Sequence, residues 1–312
     1  MPINVPITMR DNISLQRILF ATDFSDASMQ AMPYATAIAG KFNSELFLAH
    51  VVPPEDYISG CKSLDEAAQL ACRDAKTKLD SLLQSASCRD IVCETEVGSG
   101  DIWLGLGEFM QRQAIDLLVM GTVGRRGAKK VFLGSVAEEA MRESRCPALT
   151  VGPQIRAART TDFQQILYAT DFSDDSLAGL PYALSFAERY TSRLVLVHAL
   201  ERLSESPYLN GRMATVHLRE LVPSRLPSAE APEIMVEMGS PANVIIEAAE
   251  KVAADLIVIG ARGAGSLARL ASHFGSVAHK IVCRAACPVL TVRRFVEIGT
   301  KLTQTQTART RH

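Results

Sequence analysis

Residues 16–25, QRILFATDFS, recur almost letter for letter at residues 164–173, QQILYATDFS, so the chain is written twice and must fold twice. The offset of 148 residues holds through PYA at Pro33 and Pro181 and on to apolar runs that reach His50 and His198. Later landmarks keep their order at a smaller offset of 141: Gly98 aligns with Gly239, and CPALTV from Cys146 aligns with CPVLTV from Cys287. The second copy has lost residues in its middle. There the first copy has an amphipathic run, Ser63 to Ser85, with Leu64, Ala68, Ala71, Ala75, Leu79 and Leu82 at helical spacing. The second has LVPSRLPSAEAP, in which Pro223, Pro227 and Pro232 shorten any helix. At 312 residues, 47% of them apolar, the chain is long enough for two cores.

Within each copy, short apolar runs alternate with helical patterns, the signature of a parallel sheet with helices on both faces. Copy one predicts strands near 17–21, 45–51, 91–97, 115–120 and 148–151. Helices are predicted at about 25–42, 63–86, 100–113 and 135–145. Each copy therefore reads as a five-stranded, mainly parallel α/β domain, with boundaries at 1–152 and 163–296. The stretch GPQIRAARTTD, 152–162, is the expected linker, and the polar tail 297–312 is expected to be disordered.

Formal net charge is −1, which removes any general electrostatic case for nucleic acid or an anionic membrane. No apolar run approaches the roughly 18 residues of a membrane span. The seven cysteines form no CxxC pair, and MPINVPITMR lacks the apolar core of a signal peptide. A reduced cytoplasm is the expected compartment.

The stretch GTVGRRGAKKVFLGS, 121–135, sets Gly121, Gly124 and Gly134 beside Arg125, Arg126, Lys129 and Lys130. Bare backbone N–H groups can approach phosphate oxygens where a Cβ would intrude. AIDLLVMG predicts a buried strand that ends at Gly121, where doubly wound sheets place ligands. Ser135 with Glu138 predicts a capping box, so a helix N-terminus follows Gly134 and offers its dipole to an anion. The bland alternative is a solvated, glycine-rich surface loop. GxxxxGK[ST] is absent, and the turn after the first strand, ATDFSD, has no glycine, which excludes a P-loop and a standard dinucleotide fingerprint.

Asp23 in that turn, and Asp171 in its repeat, could cap the following helix or accept hydrogen bonds from a base or ribose. His279, Cys283 and Cys287 fall at i, i+4, i+8, but their copy-one counterparts are Glu138, Arg142 and Cys146. Core cysteines are therefore favoured over a metal site. His50 and His198 read as structural residues, and Pro33 and Pro181 predict a kink inside the first helix of each copy. No catalytic triad or activated cysteine assembles from local patterns, so a binding site is favoured over a catalyst.

With ATDFS after the first strand, G-x2-G-x9-G-S before the last helix and the closing CPALTV, each copy resembles a universal stress protein domain over about 14–152 and 163–294. The resemblance implies two Rossmann-like or flavodoxin-like sheets of strand order 3-2-1-4-5. It implies that the aspartate after strand one and a valine after strand two hold an adenosine, and that the glycine motif holds ribose and phosphates. Those roles fall to Asp23, Val51, Gly121, Gly124, Gly134 and Ser135. The corresponding set in copy two is Asp171, Gly260, Gly263, Gly275 and Ser276, but eleven residues rather than nine separate Gly263 from Gly275, the nine-residue spacing is recovered only from Gly265, and Ala199 replaces Val51. The implied function is a stress-response sensor or regulator that binds ATP or a related adenine nucleotide, with or without Mg, in copy one. A slow ATPase or phosphotransfer protein, and a dimerisation module without nucleotide, are the alternatives. Family members commonly dimerise through the last strand, so ALTVG at Ala148 and VLTVR at Val289 are expected to pair within one chain, with a homodimer of chains left open.

Overall fold

A computed structural model of the chain describes residues 13–84, 88, 90–122, 133–155, 161–201, 207–222, 231–261 and 277–294. Copy one runs β1 (Arg17–Ala21), α1 (Asp26–Met29), α2 (Met32–Phe42), β2 (Glu45–Val52), a 3-10 turn (Pro54–Asp56), α3 (Leu64–Leu83), β3 (Cys93–Ser99), α4 (Ile102–Arg112), β4 (Leu117–Gly121), α5 (Ser135–Glu143) and β5 (Ala148–Val151). Copy two runs β6 (Gln165–Ala169), α6 (Asp174–Leu177), α7 (Leu180–Tyr190), β7 (Arg193–Leu200), α8 (Pro207–Glu220), β8 (Glu233–Met238), α9 (Pro241–Lys251), β9 (Leu256–Gly260), α10 (Val277–Arg284) and β10 (Val289–Val292).

The strands form one ten-stranded sheet in the order β3-β2-β1-β4-β5-β10-β9-β6-β7-β8. Each half is parallel and has the predicted 3-2-1-4-5 order. The halves join where β5 meets β10 antiparallel, with Leu149 opposite Leu290 at the centre of a pseudo-twofold relation. On either side of that pair, Thr150 Oγ1 donates to Val289 O and Thr291 Oγ1 donates to Ala148 O, both at 3.2 Å. Successive strand residues face opposite ways. Leu19, Ala21, Phe47, Ala49 and Val51 accordingly enter one core, and Ile18, Phe20, Leu46 and Leu48 enter the other. Both cores draw residues from both copies, which makes the junction a continuation of the interior.

Beside the junction, α2 and α7 meet through an aromatic cluster in which Phe42 and Phe186 lie 5.1 Å apart and Phe163 and Tyr190 lie 5.0 Å apart. The repeat is visible in its cations: Lys41 lies over the Tyr190 ring at 5.1 Å, and Arg189 lies over the Phe42 ring at 5.4 Å.

Three sequence expectations change in the structure. The predicted helix 25–42 is broken rather than kinked: α1 ends at Met29, and Pro33 lies in the first turn of α2, as Pro181 does in α7. An amide at that position has no helical partner, so proline costs no hydrogen bond there. The equivalence of Gly98 with Gly239 also shifts. Gly100 N–H donates to Val52 O at 2.9 Å, and Gly239 N–H donates to Leu200 O at 3.0 Å, so Gly100 is the true counterpart. The offset therefore falls from 148 to 139 between the second and third strands and rises to 141 after Gly260. The third change is that α10 ends at Arg284, so Cys287 is not on a helical stripe with His279 and Cys283.

A side-chain cap of the kind expected at Ser135 appears instead on α3. Ser63 Oγ accepts from Glu66 N–H at 3.1 Å, and the Glu66 carboxylate reaches back past the cap to accept from Lys62 N–H at 2.8 Å.

Candidate functional site

The turn after β1 is built by its own short side chains. Thr22 Oγ1 accepts the Phe24 N–H at 2.9 Å and lies 2.9 Å from the Ser28 hydroxyl. Asp23 Oδ1 accepts from the Ser25 N–H at 3.0 Å and from the Ser25 hydroxyl at 2.6 Å. Ser25 in turn caps α1, its Oγ accepting from Ser28 N–H at 3.1 Å. The aspartate is thus not the cap; it fixes the residue that is.

Phe24 takes φ 61°, a left-handed conformation that bulky residues rarely adopt, and its ring centroid lies 4.7 Å from that of His50. His50 Nδ1–H donates to Thr22 O at 2.7 Å and so ties β2 to the same turn. That is a structural role, as its position in the sequence suggested. Val51 lies inside β2 rather than after it, and β2 continues to Val52.

Gly121 ends β4. A Cβ there would lie 2.8 Å from the Ser28 Cα and 2.9 Å from the Ala27 carbonyl oxygen. Its first demand is therefore the close packing of α1 against the strand end, a constraint invisible in the sequence. Beyond it, Thr122 N–H donates to Val151 O at 3.1 Å and Gly134 N–H donates to Thr122 O at 2.7 Å. These bonds carry the chain to α5. The predicted capping box is absent at α5: the N-cap is Gly134, which has no side chain to offer, and Ser135 is the first helical residue. Glu138 N–H donates to Gly134 O at 2.9 Å, the ordinary first helical bond. The opening turn of α5 is thus left without a side-chain cap.

Asp23, Val51, Gly121, Gly134 and Ser135 together line one cleft of about 450 Å³ at the carboxyl ends of β1, β2 and β4. That volume lies within the range of roughly 300–1,000 Å³ typical of small-molecule sites. Gly124, the remaining residue of the predicted set, lies outside the described residues. Sequence reasoning missed Asp56 on the 3-10 turn and the apolar walls Ile102, Leu106, Met120 and Leu133. Ile102 and Leu106 share the buried stripe of α4, which was the only signal available for them.

Copy two repeats the turn closely. Asp171 Oδ1 accepts from Ser173 N–H at 3.0 Å, Phe172 takes φ 62°, and His198 Nδ1–H donates to Thr170 O at 2.8 Å. A Cβ on Gly260 would lie 2.7 Å from the Ser176 Cα. Gly263, Gly275 and Ser276 lie outside the described residues. The walls differ. In copy one, a Cβ on Gly105 would meet Val51 Cγ2 at 3.0 Å; the counterparts are Val244 and Ala199. Bulk on the strand has moved to the helix.

Cys283 and Cys287 are buried, and burial pushes the Cys287 thiol up to about 12. No group of three or more His, Cys, Asp or Glu among the described residues could hold a metal ion. No helix among them is long and apolar enough to cross a membrane.

A doubly wound sheet with a cleft where the turns after its first and fourth strands diverge defines a class, the α/β proteins that bind ligands at the switch point. Within that class the chain belongs to the universal stress protein family, a stress-response family whose pattern it matches twice, over residues 14–152 and 162–293. It is 30% identical over 138 residues to a universal stress protein of Methanocaldococcus jannaschii, an alignment covering 44% of this chain and 81% of that one. It is 33% identical over 138 residues to one from Thermus aquaticus, covering 42% and 99%. Its fold is similar over both copies to a universal stress protein of Archaeoglobus fulgidus, with TM-score 0.68, 23% identity, and 90% and 97% of the two chains covered.

Proposed function

We propose that the copy-one cleft binds ATP or a closely related adenine nucleotide, and that the protein acts in stress response as a nucleotide-dependent sensor or regulator. The observation that carries this reading is the convergence of Asp23, Val51, Gly134 and Ser135 on one cleft whose lining combines two kinds of chemistry. The uncapped opening turn of α5 contributes backbone N–H groups and the positive end of a helix dipole, suited to phosphate. Val51, Ile102, Leu106 and Met120 contribute apolar walls suited to a base, with the Asp23 carboxylate as an acceptor for ribose or base N–H and O–H groups. Mg bound with the phosphates would supply charge neutralisation. The chain's own contribution is to orient the nucleotide and exclude water from the base.

The test is to heat-denature freshly purified protein and identify the released small molecules by chromatography and mass. Stoichiometric adenine nucleotide is expected. Nucleotide-free protein that also fails to bind added ATP would refute the reading.

A further inference from the structure

α4 packs on β2 through a glycine. A Cβ on Gly105 would lie 3.0 Å from Val51 Cγ2, 3.1 Å from Val51 Cγ1 and 3.7 Å from Val51 Cβ. A second glycine borders the same side chain: Gly98 pairs with Val51 from β3, and a Cβ there would lie 3.6 Å from Val51 Cγ2 and 3.0 Å from Phe109 Cζ. At the offset of 139 set by the third strand, Val51, Gly98, Gly105 and Phe109 become Ala199, Glu237, Val244 and Ala248. The whole contact has been rewritten between the copies. Glycine inside a helix costs stability relative to alanine, and α4 carries two, Gly105 and Gly107. A Cβ on Gly107 would meet nothing within 4 Å, so packing constrains Gly105 alone of the pair.

We propose, resting on the nucleotide reading above, that Gly105 is the positioning residue for the base: without a Cβ it lets α4 lie on the Val51 side chain, and so sets Ile102 and Leu106 at the distance from Val51 that an adenine ring requires. Gly105 does not line the cleft; it acts through Val51, which does. Val51 comes from β2, whereas Ile102 and Leu106 come from α4. The start of α4 is fixed to β2, because Gly100 N–H donates to Val52 O at 2.9 Å and Asp101 Oδ1 caps the helix by accepting from Leu104 N–H at 2.8 Å. A methyl added at 105 must gain about 0.5 Å from the valine methyls to reach ordinary contact. That displacement passes to Val51 or to the Ile102 and Leu106 face of α4, and either one changes the spacing of the walls. Truncating Val51 to alanine removes both close atoms and leaves its Cβ at 3.7 Å, an ordinary contact, so the clash then disappears.

The test is a double-mutant cycle on the full chain stripped of bound nucleotide, with ATP binding read by titration calorimetry below the onset of melting. Gly105→Ala is expected to weaken ATP binding at least about tenfold, the scale on which one methylene is felt in an apolar pocket. Val51→Ala is expected to weaken it through loss of wall, and Gly105→Ala added to Val51→Ala is expected to change it by less than about twofold more. Gly107→Ala is expected to bind ATP as the unsubstituted chain does and to melt no earlier. If Gly105→Ala folds poorly, the double variant, which has no clash, must still fold and bind like Val51→Ala. Unchanged ATP affinity in Gly105→Ala, a loss of the same size in the Val51→Ala background, or a double variant that does not fold would overturn the proposal. An unsubstituted chain that binds no ATP would refute the nucleotide reading itself, and the positioning role with it.

Discussion

Gly121 and Gly260 end equivalent strands, and the structure demands glycine at both for the same reason. A Cβ on Gly121 would lie 2.8 Å from the Ser28 Cα and 2.9 Å from the Ala27 carbonyl oxygen; on Gly260 it would lie 2.7 Å from the Ser176 Cα and 2.8 Å from the Ser176 nitrogen. The obstructing atoms are backbone, so no rotamer change relieves the clash. Recovering an ordinary contact of about 3.5 Å means that α1 or α6 retreats by roughly 0.7 Å, and overpacking of this kind costs about 1–3 kcal/mol. The smaller conformational freedom of alanine in the unfolded chain returns about 0.4–1 kcal/mol. A net loss of about 1–2 kcal/mol lowers the melting temperature by on the order of 5 °C. Gly121→Ala and Gly260→Ala, each followed by scanning calorimetry, are therefore expected to melt early to a similar extent. Only Gly121→Ala is expected also to weaken nucleotide binding, because Ser28 and the turn around Asp23 move with α1. A Gly260→Ala protein that melts with the unsubstituted chain would refute the close-packing argument.

Three further outcomes are expected. The Tyr190 hydroxyl is buried and has no hydrogen-bond partner among the described residues, so Tyr190→Phe, which restores the residue of the copy-one counterpart Phe42, is expected to raise stability by about 1 kcal/mol in urea titration. Gly124→Val is expected to abolish nucleotide binding by calorimetry with an unchanged melting temperature, since a β-branched side chain blocks close approach of phosphate to backbone. Residues 1–155 expressed alone expose the β5 edge that β10 covers in the full chain, and light scattering is expected to find them self-associated; a stable monomer would count against the role of that pairing.

What was legible in the sequence was whatever is written in apolar period and repetition. The strands of copy one fall within two residues of their predicted starts because β1, β2 and β4 are runs of buried residues with little else to be. The site was legible where a residue type has few uses, as with Asp23 in its turn and the glycines at strand and helix ends. What escaped depends on neighbours distant in sequence. The approach of α1 to Gly121 and the exchange of bulk between Val51 with Gly105 and Ala199 with Val244 need the packed sheet to be seen. The left-handed Phe24 carries no local signal, since glycine or asparagine is the usual occupant of that conformation. The capping box assigned to Ser135 failed because Gly134, one residue earlier, holds the N-cap position and leaves Ser135 as the first helical residue.

The central claim is that copy one holds an adenine nucleotide in the cleft around Asp23. Its most direct test is titration calorimetry of ATP into the full chain stripped of bound nucleotide, with Asp23→Ala and Asp171→Ala measured alongside. The account predicts one strong site per chain, lost in Asp23→Ala and retained in Asp171→Ala. Two equal sites, or undiminished binding in Asp23→Ala, would contradict it.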